Sequence, residues 1–257
     1  MSEAKPTRVV ILAAGKGSRL GSTGAETPKW LLEVGEGTIA DRQLAATELA
    51  RRETAGAIDT VQVVTGHAAG EIHSYAGERV RTLHNPDFAT INNWLSVLLA
   101  LRDLDDDSRI VIVNGDLFAR PEWIAAFLVQ SATTDESSLI AVDLERRLTD
   151  ESMKVAVGAG SPMTLARIGK VGIDDPVGEY VGMLMASGPV LAAFRVALER
   201  FVGDPGSRDE WYERAVGLTA AQGTPWIVWP TPDSDWVEID DNGDLELARD
   251  LAREPVG

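Results

Sequence analysis

Residues 8–30 read RVVILAAGKGSRLGSTGAETPKW, and the order of residue types in this stretch decides the fold. The β-branched run Val9-Val10-Ile11 passes into Leu12, Ala13 and Ala14 without a polar break, the pattern of a strand buried on both faces of a parallel sheet. It ends in Gly15-Lys16-Gly17-Ser18-Arg19, and Pro28-Lys29 follows shortly after. Glycines at a strand end let backbone N–H groups approach an anion, with no Cβ to hold it away. Arg19 adds a planar fork and Lys29 a point charge, two complementary ways of holding a polyphosphate. The stretch therefore reads as a nucleoside triphosphate site. The plainer alternative is a Gly-rich turn between strand and helix, with both cations merely on the surface. Other phosphate loops fit less well. No GxxxxGK[ST] string occurs, and Leu20 stands where the dinucleotide fingerprint needs its third Gly.

The same string resembles the LAAGxGxRL…PKxLLxV signature of the nucleotidylyltransferases of the sugar-1-phosphate and phosphocholine type. Leu12 to Leu20 and Pro28 to Val34 carry the match, whereas Gly21-Ser22-Thr23 replaces the usual Pro-Leu-Thr and predicts a more mobile loop. The resemblance implies one Rossmann-like, three-layer α/β domain with a mostly parallel central sheet and a smaller acceptor-binding part. It also implies that Leu12, Ala13, Ala14, Gly15, Lys16, Gly17 and Arg19 line the nucleotide site.

Composition agrees. A chain of 257 residues, 44% hydrophobic and 25% charged, suits one large α/β domain with a full core. No apolar run approaches bilayer length, so no membrane partner is expected. The absence of cysteine excludes disulfides, thiolate nucleophiles and thiolate metal sites, and makes a cytoplasmic address the default. A formal charge of −16 argues against a nucleic-acid partner. It also repels a triphosphate at long range. Screening over about 8 Å at physiological salt nevertheless lets local cations and a divalent ion dominate the site. Nothing in the chain speaks to oligomeric state.

Strands and helices alternate through the first part of the chain. Strands are expected at Arg8–Ala13, Thr60–Thr65, Arg79–His84, Arg109–Val113 and Leu139–Asp143. Helices are expected at Ile39–Arg52, Ala68–Ala76, Asn93–Leu101 and Pro121–Gln130. Asn92 or Asn93 caps the third helix, and the acidic run Asp103–Asp107 reads as a solvated turn. After Asp143 come short strands at Met153–Val157, Leu165–Gly169 and Tyr180–Met185. Helices near Pro189–Phe201 and Asp209–Ala221 follow, then strands Trp226–Trp229 and Trp236–Ile239 and a closing helix, Asp244–Ala252. The expected layout is a nucleotide-binding half to about residue 143 and an acceptor-binding half beyond it, sharing one sheet.

Four constellations carry chemistry. Asp116 follows the strand Val111-Ile112-Val113-Asn114, where ligands of open α/β sheets gather, and suits Mg²⁺; helix capping is the alternative. In Trp236-Val237-Glu238-Ile239-Asp240, alternation puts Trp236, Glu238 and Asp240 on one face, with Val237 and Ile239 towards the core. Two such carboxylates can complete a Mg²⁺ shell with Asp116, or merely face solvent on an edge strand. The string resembles the late acidic motif of the phosphocholine cytidylyltransferases, which favours Asp240 and then Glu238 as ligands. Asn92, Asn93 and Ser96, at a helix start, suit a nucleobase or simple capping; a similar Asn-Asn…Ser segment in the phosphocholine type favours the base. Finally, Met153-Lys154-Val155, Lys170 and Gly178-Glu179-Tyr180-Val181-Gly182 resemble the same enzymes and their phosphonate or sugar-phosphate relatives. Lys154 and Lys170 suit neutralising the acceptor phosphate, or equally a solvated surface, and Glu179 suits a hydroxyl or a cationic head, with Tyr180 and Gly182 beside it. Trp211, Tyr212, Trp226, Trp229 and Trp236 crowd the end of the chain, where a choline-like cage and ordinary core packing compete. His67, His73 and His84 have no metal-ligand spacing.

The expected reaction is nucleotidyl transfer, with CMP moving from CTP to the phosphate or phosphonate of a small acceptor such as phosphocholine. Arg19, Lys29 and Asp116 are the catalytic residues, and Trp211, Tyr212 and Trp236 join the acceptor site. Sugar-1-phosphate transfer comes next. A nucleotide-sugar glycosyltransferase, with Asn114-Gly115-Asp116 as its acidic motif, and a non-catalytic nucleotide sensor are the readings from other classes.

Overall fold

Strand β1 (Thr7–Ala13) sits in the middle of the main sheet because its residues have no face to spare for water. Val9, Ile11 and Ala13 face one helical layer, Val10 the other, and all four are buried. The structure is a computed structural model that describes residues 6–21, 27–105 and 107–253. Ser22 and Thr23 of the loop expected to be mobile, and Asp106 of the acidic run, lie outside them.

After β1 come a short hairpin, β2 (Glu33–Val34) and β3 (Gly37–Thr38), and helix α1 (Ile39–Glu53). Thr38 and Asp41 close a reciprocal capping box at the start of α1. Then follow β4 (Ile58–Thr65), α2 (Ala69–Ala76), β5 (Arg81–His84), α3 (Asn93–Leu101), β6 (Arg109–Asn114), β7 (Leu117–Ala119), α4 (Pro121–Thr133) and β8 (Ser138–Asp143). The later elements are β9 (Lys154–Val157), β10 (Leu165–Gly169), β11 (Gly178–Ser187), α5 (Gly188–Glu199), α6 (Tyr212–Ala221), β12 (Val228–Pro230), β13 (Trp236–Glu238) and α7 (Asn242–Arg253).

The sheet runs β10-β9-β11-β6-β1-β4-β5, with β8 against β11 and β12 against β8. Strands β6, β1, β4 and β5 are mutually parallel, and β12 is parallel to β8; β11 enters antiparallel between β6 and β8. Helices α1, α2, α4 and α7 contribute to one core, and α3, α5 and α6 to the other. This is a single three-layer α/β domain with a mostly parallel sheet, as expected.

A crevice opens where β6 stops and β11 continues. β11 pairs with β6 only over Met183–Ser187, whereas Gly178 and Glu179 pair with β9. Its register against β8 breaks between Tyr180 and Leu184. Gly182 lies in that break with φ of 81°, and a Cβ there would sit 2.8 Å from the Asn114 side-chain nitrogen. Only glycine tolerates both the backbone angle and the neighbour. The spread sheet leaves its gap at the carboxyl ends of β1 and β6.

Three expectations shift. β13 does not join the main sheet; it pairs antiparallel with β7, a three-residue strand too short to announce itself by periodicity. Helix α6 starts at Tyr212 rather than Asp209, because the Arg208 and Asp209 carbonyls accept from Asn92 across the chain. Strand β12 begins at Val228, since Trp226 is drawn wholly into the core.

Candidate active site

A cleft of about 370 Å³ lies over this gap. The Gly-rich loop after β1, the turn Lys29–Leu31, the end of β6, the start of α3, the bulge of β11, the start of α6 and the end of β13 all reach it. One residue ties two of these together. Trp30 is buried, and its indole N–H donates to Gln43 Oε1 at 3.0 Å. Gln43 Nε2 in turn donates to the carbonyls of Asn114 and Leu117, each at 2.9 Å. The turn carrying Lys29 is thereby fixed to the loop carrying Asp116. Gly115 makes that loop possible: its N–H donates to the Leu12 carbonyl at 3.1 Å, so close that any Cβ would strike the same carbonyl.

The charges converge tightly. Lys29 Nζ lies 2.7 Å from Asp240 Oδ1 and 3.3 Å from Asp116 Oδ2, and Arg19 reaches Asp240 Oδ2 at 2.8 Å. Burial alone would weaken the Lys29 ammonium, yet Asp116 and Asp240 outweigh it and hold its pKa above the ordinary lysine value. For Asp240, burial pushes upward but Lys29, then Arg19, pull the carboxyl below its usual range. Glu238 opens onto the cleft, and the relief it draws from Lys29 is outweighed. Burial, with repulsion from Asp116, Asp240 and Glu213, drives its pKa well above the carboxylate norm.

The structure brings most of the expected residues to one place. Leu12, Ala13, Ala14, Gly15, Gly17 and Arg19 line the cleft, as do Lys29, Asp116, Glu238 and Asp240. Asn92, Asn93 and Ser96 line it too, although much of their polarity is spent internally. Asn92 caps α3, Asn93 Oδ1 accepts the Tyr212 amide at 3.0 Å, and Ser96 Oγ accepts from the buried Asn85 at 3.0 Å. Lys170, Tyr180, Gly182 and Trp211 form the other side.

Five expected residues do not line it. Lys16 lies over the ring of Phe88, itself a cleft residue, 5.8 Å from its centroid. Lys154 gives its Nζ protons to the carbonyls of Asp150, Ser152 and Lys170. Glu179 is half-buried, its pKa raised by burial, and is held by Ser152. Tyr212 is fully buried behind the wall, hydrogen-bonded to Tyr180 at 2.7 Å and donating to Asn114 Oδ1 at 2.9 Å. Trp236 is also buried, against the alternation argument: its indole N–H donates to Asp143 and Arg146 stacks on its ring. The aromatic cage does not assemble either. Trp226 is buried, Trp229 packs edge-on against Phe127, and Trp211 alone of the five reaches the cleft.

Four residues to which the sequence assigns no role in nucleotidyl transfer help to build the site: Gln43, Asn114, Glu151 and Glu213. Gln43 was detectable as an amide on the mainly apolar buried face of α1. The other three carried no signal without the fold.

The donor set suits a hard divalent cation. Asp116 and Asp240 present carboxylate oxygens, and an ammonium already bridges them. Among the described residues no group of three or more acidic, His or Cys side chains could hold a metal alone. Phosphate oxygens and water would have to finish the shell, which is how Mg²⁺ is commonly bound.

Residues 9–230 match the sequence profile of the MobA-like NTP transferase domain. A CMP-5'-(3-aminopropyl)phosphonate synthase from Streptomyces rubellomurinus is 33% identical over 266 residues, covering 96% of this chain; the chain spans only 39% of that protein's length. Two solved structures share the fold. The CTP:phosphocholine cytidylyltransferase of Streptococcus pneumoniae gives a TM-score of 0.73 at 18% identity, over 96% of this chain and all of that one. The inositol-1-phosphate CTP transferase of T. maritima gives 0.70 at 17% identity, over the full length of both. The overall fold is thus shared with these structures, and the chain belongs to the MobA-like NTP transferase family.

Proposed function

We propose that the chain transfers a nucleoside monophosphate, CMP from CTP, to the phosphate or phosphonate oxygen of a small acceptor. A single feature carries the reading: Lys29 is held between Asp116 and Asp240, with Arg19 on Asp240, at the mouth of a glycine-ended strand. The acceptor oxygen is already ionised at neutral pH, so no general base is needed. That oxygen attacks the α-phosphorus, the bond to pyrophosphate breaks in line, and catalysis reduces to positioning and charge stabilisation.

In this scheme the Gly15–Gly17 amides and Arg19 grip the triphosphate, Arg19 exchanging Asp240 for phosphate oxygens. Lys29 bridges the donor and acceptor phosphates, buried enough to lose little to water. Asp116 and Asp240 would hold Mg²⁺, which when bound offsets charge on the phosphates. Residues to about 143 hold the nucleotide and later ones the acceptor, with Asn92, Asn93 and Ser96 facing the base. Cytidine as the base and a phosphonate or phosphate acceptor follow the S. rubellomurinus relative and the two neighbours above. The test is pyrophosphate release from each of four triphosphates, with Mg²⁺, against phosphorylated alcohols, sugars and phosphonates. The expected result is release with CTP and a small phosphonate or phosphate ester. Release from no combination would overturn the proposal.

A further inference from the structure

We infer that Glu213 receives a primary ammonium group on the acceptor. The acceptor is then a zwitterion, with the reacting phosphorus group at one end and an N–H-donating cation at the other. The inference rests on the transfer reaction proposed above.

Glu213 lies in the first turn of α6, where a carboxylate usually faces solvent; here its own backbone amide supports it from the helix side. This one is only 5% exposed and stands in the cleft wall beside Trp211. Its Oε2 has no hydrogen-bond partner. A buried carboxylate oxygen without a donor is costly, and such orphans in a cleft wall mark places that a ligand completes.

The surroundings say which donor is wanted. Asp116 and Glu238 both act on Glu213 by repulsion, so the site gains from positive charge rather than from a neutral hydroxyl. The nearby protein cation, Lys170, eases Glu213 only through space: its Nζ pairs with Glu151 at 3.1 Å and lies 5.3 Å over the Trp211 ring. A quaternary ammonium fits poorly. It has no N–H for Oε2 and depends on open aromatic faces, whereas Trp211 already carries Lys170 and the Tyr180 ring packs edge-on against Tyr212.

The experiment is calorimetric binding to the full chain with a non-hydrolysable CTP analogue present. It compares 3-aminopropylphosphonate with propylphosphonate, and phosphoethanolamine with phosphocholine, in the wild type and in Glu213→Gln. The wild type should prefer each primary amine at least about tenfold, the scale of a hydrogen bond to a charged group. In Glu213→Gln both ratios should fall towards one. Equal binding of amine and alkyl compounds by the wild type, tighter binding of phosphocholine, or a preference that survives in Glu213→Gln would overturn the inference. The wild-type comparison stands even if the variant fails to fold. Pyrophosphate release is read separately. Release that is indifferent to the amine sinks the subsite and keeps the reaction; an amine preference without release from any acceptor does the reverse.

Discussion

Lys29 is where the local physics and the proposed chemistry meet most closely. Its ammonium is held charged by two carboxylates despite burial, so it is ready to exchange one of them for phosphate without a change of protonation. Lys29→Ala and Asp116→Ala should each lower turnover at least about a hundredfold while leaving the circular dichroism spectrum unchanged. Glu213 behaves oppositely. Burial, with repulsion from Asp116, raises its carboxyl from 4.5 to about 7. Between those values the folded chain binds more protons than the unfolded one, so stability falls as pH rises through the window, and the full loss is present above about 7. Glu213→Gln should remove that fall and raise stability at pH 8 by up to about 3 kcal/mol, with little gain at pH 4. Denaturation midpoints at the two pH values check this, and equal midpoints for variant and wild type at pH 8 would refute it.

At the scale of elements, the cleft depends on contacts between segments distant in sequence. Gln43 of α1 satisfies the Trp30 indole and two carbonyls around the Asp116 loop. Gln43→Ala would strand all three in the core, so a loss of about 2–4 kcal/mol is expected, with lower turnover as Lys29 and Asp116 drift apart. Urea denaturation and pyrophosphate release measure both; a variant as stable as the wild type would mean the clasp is idle. Gly182→Ala should likewise impair activity, because its Cβ meets the Asn114 side chain at a backbone angle that alanine resists. Most elements were legible in the sequence, since a continuous apolar run such as Val9–Ile11 and a helix such as Asn93–Leu101 each have one stable environment. Elements made by pairing were not. β7 exists because β13 lies beside it, and β13 leaves the main sheet for the same reason.

For the molecule as a whole, alternation of strands and helices was enough to foresee three layers and a parallel centre. The convergence of residues 12–15, 17–19, 29, 116 and 240 on one cleft matches what the strand-end rule and the family resemblance together implied. The acceptor side resisted. Lys154, Glu179, Tyr212 and Trp236 have the right chemistry but turn to carbonyls, Ser152, Asn114 and Asp143. Which way such residues point depends on the β11 bulge and the start of α6, and no local pattern encodes either. Among the described residues no helix is long and apolar enough to cross a membrane. The central claim is that this one cleft joins a nucleotide to a phosphorus acid. Pyrophosphate release from CTP with 3-aminopropylphosphonate and Mg²⁺, run side by side for the wild type and Lys29→Ala, tests it most directly. The account predicts release by the wild type, its loss on chelating the metal, and almost none from Lys29→Ala. Near-normal release by the variant, or none by the wild type with any triphosphate and acceptor, would contradict it.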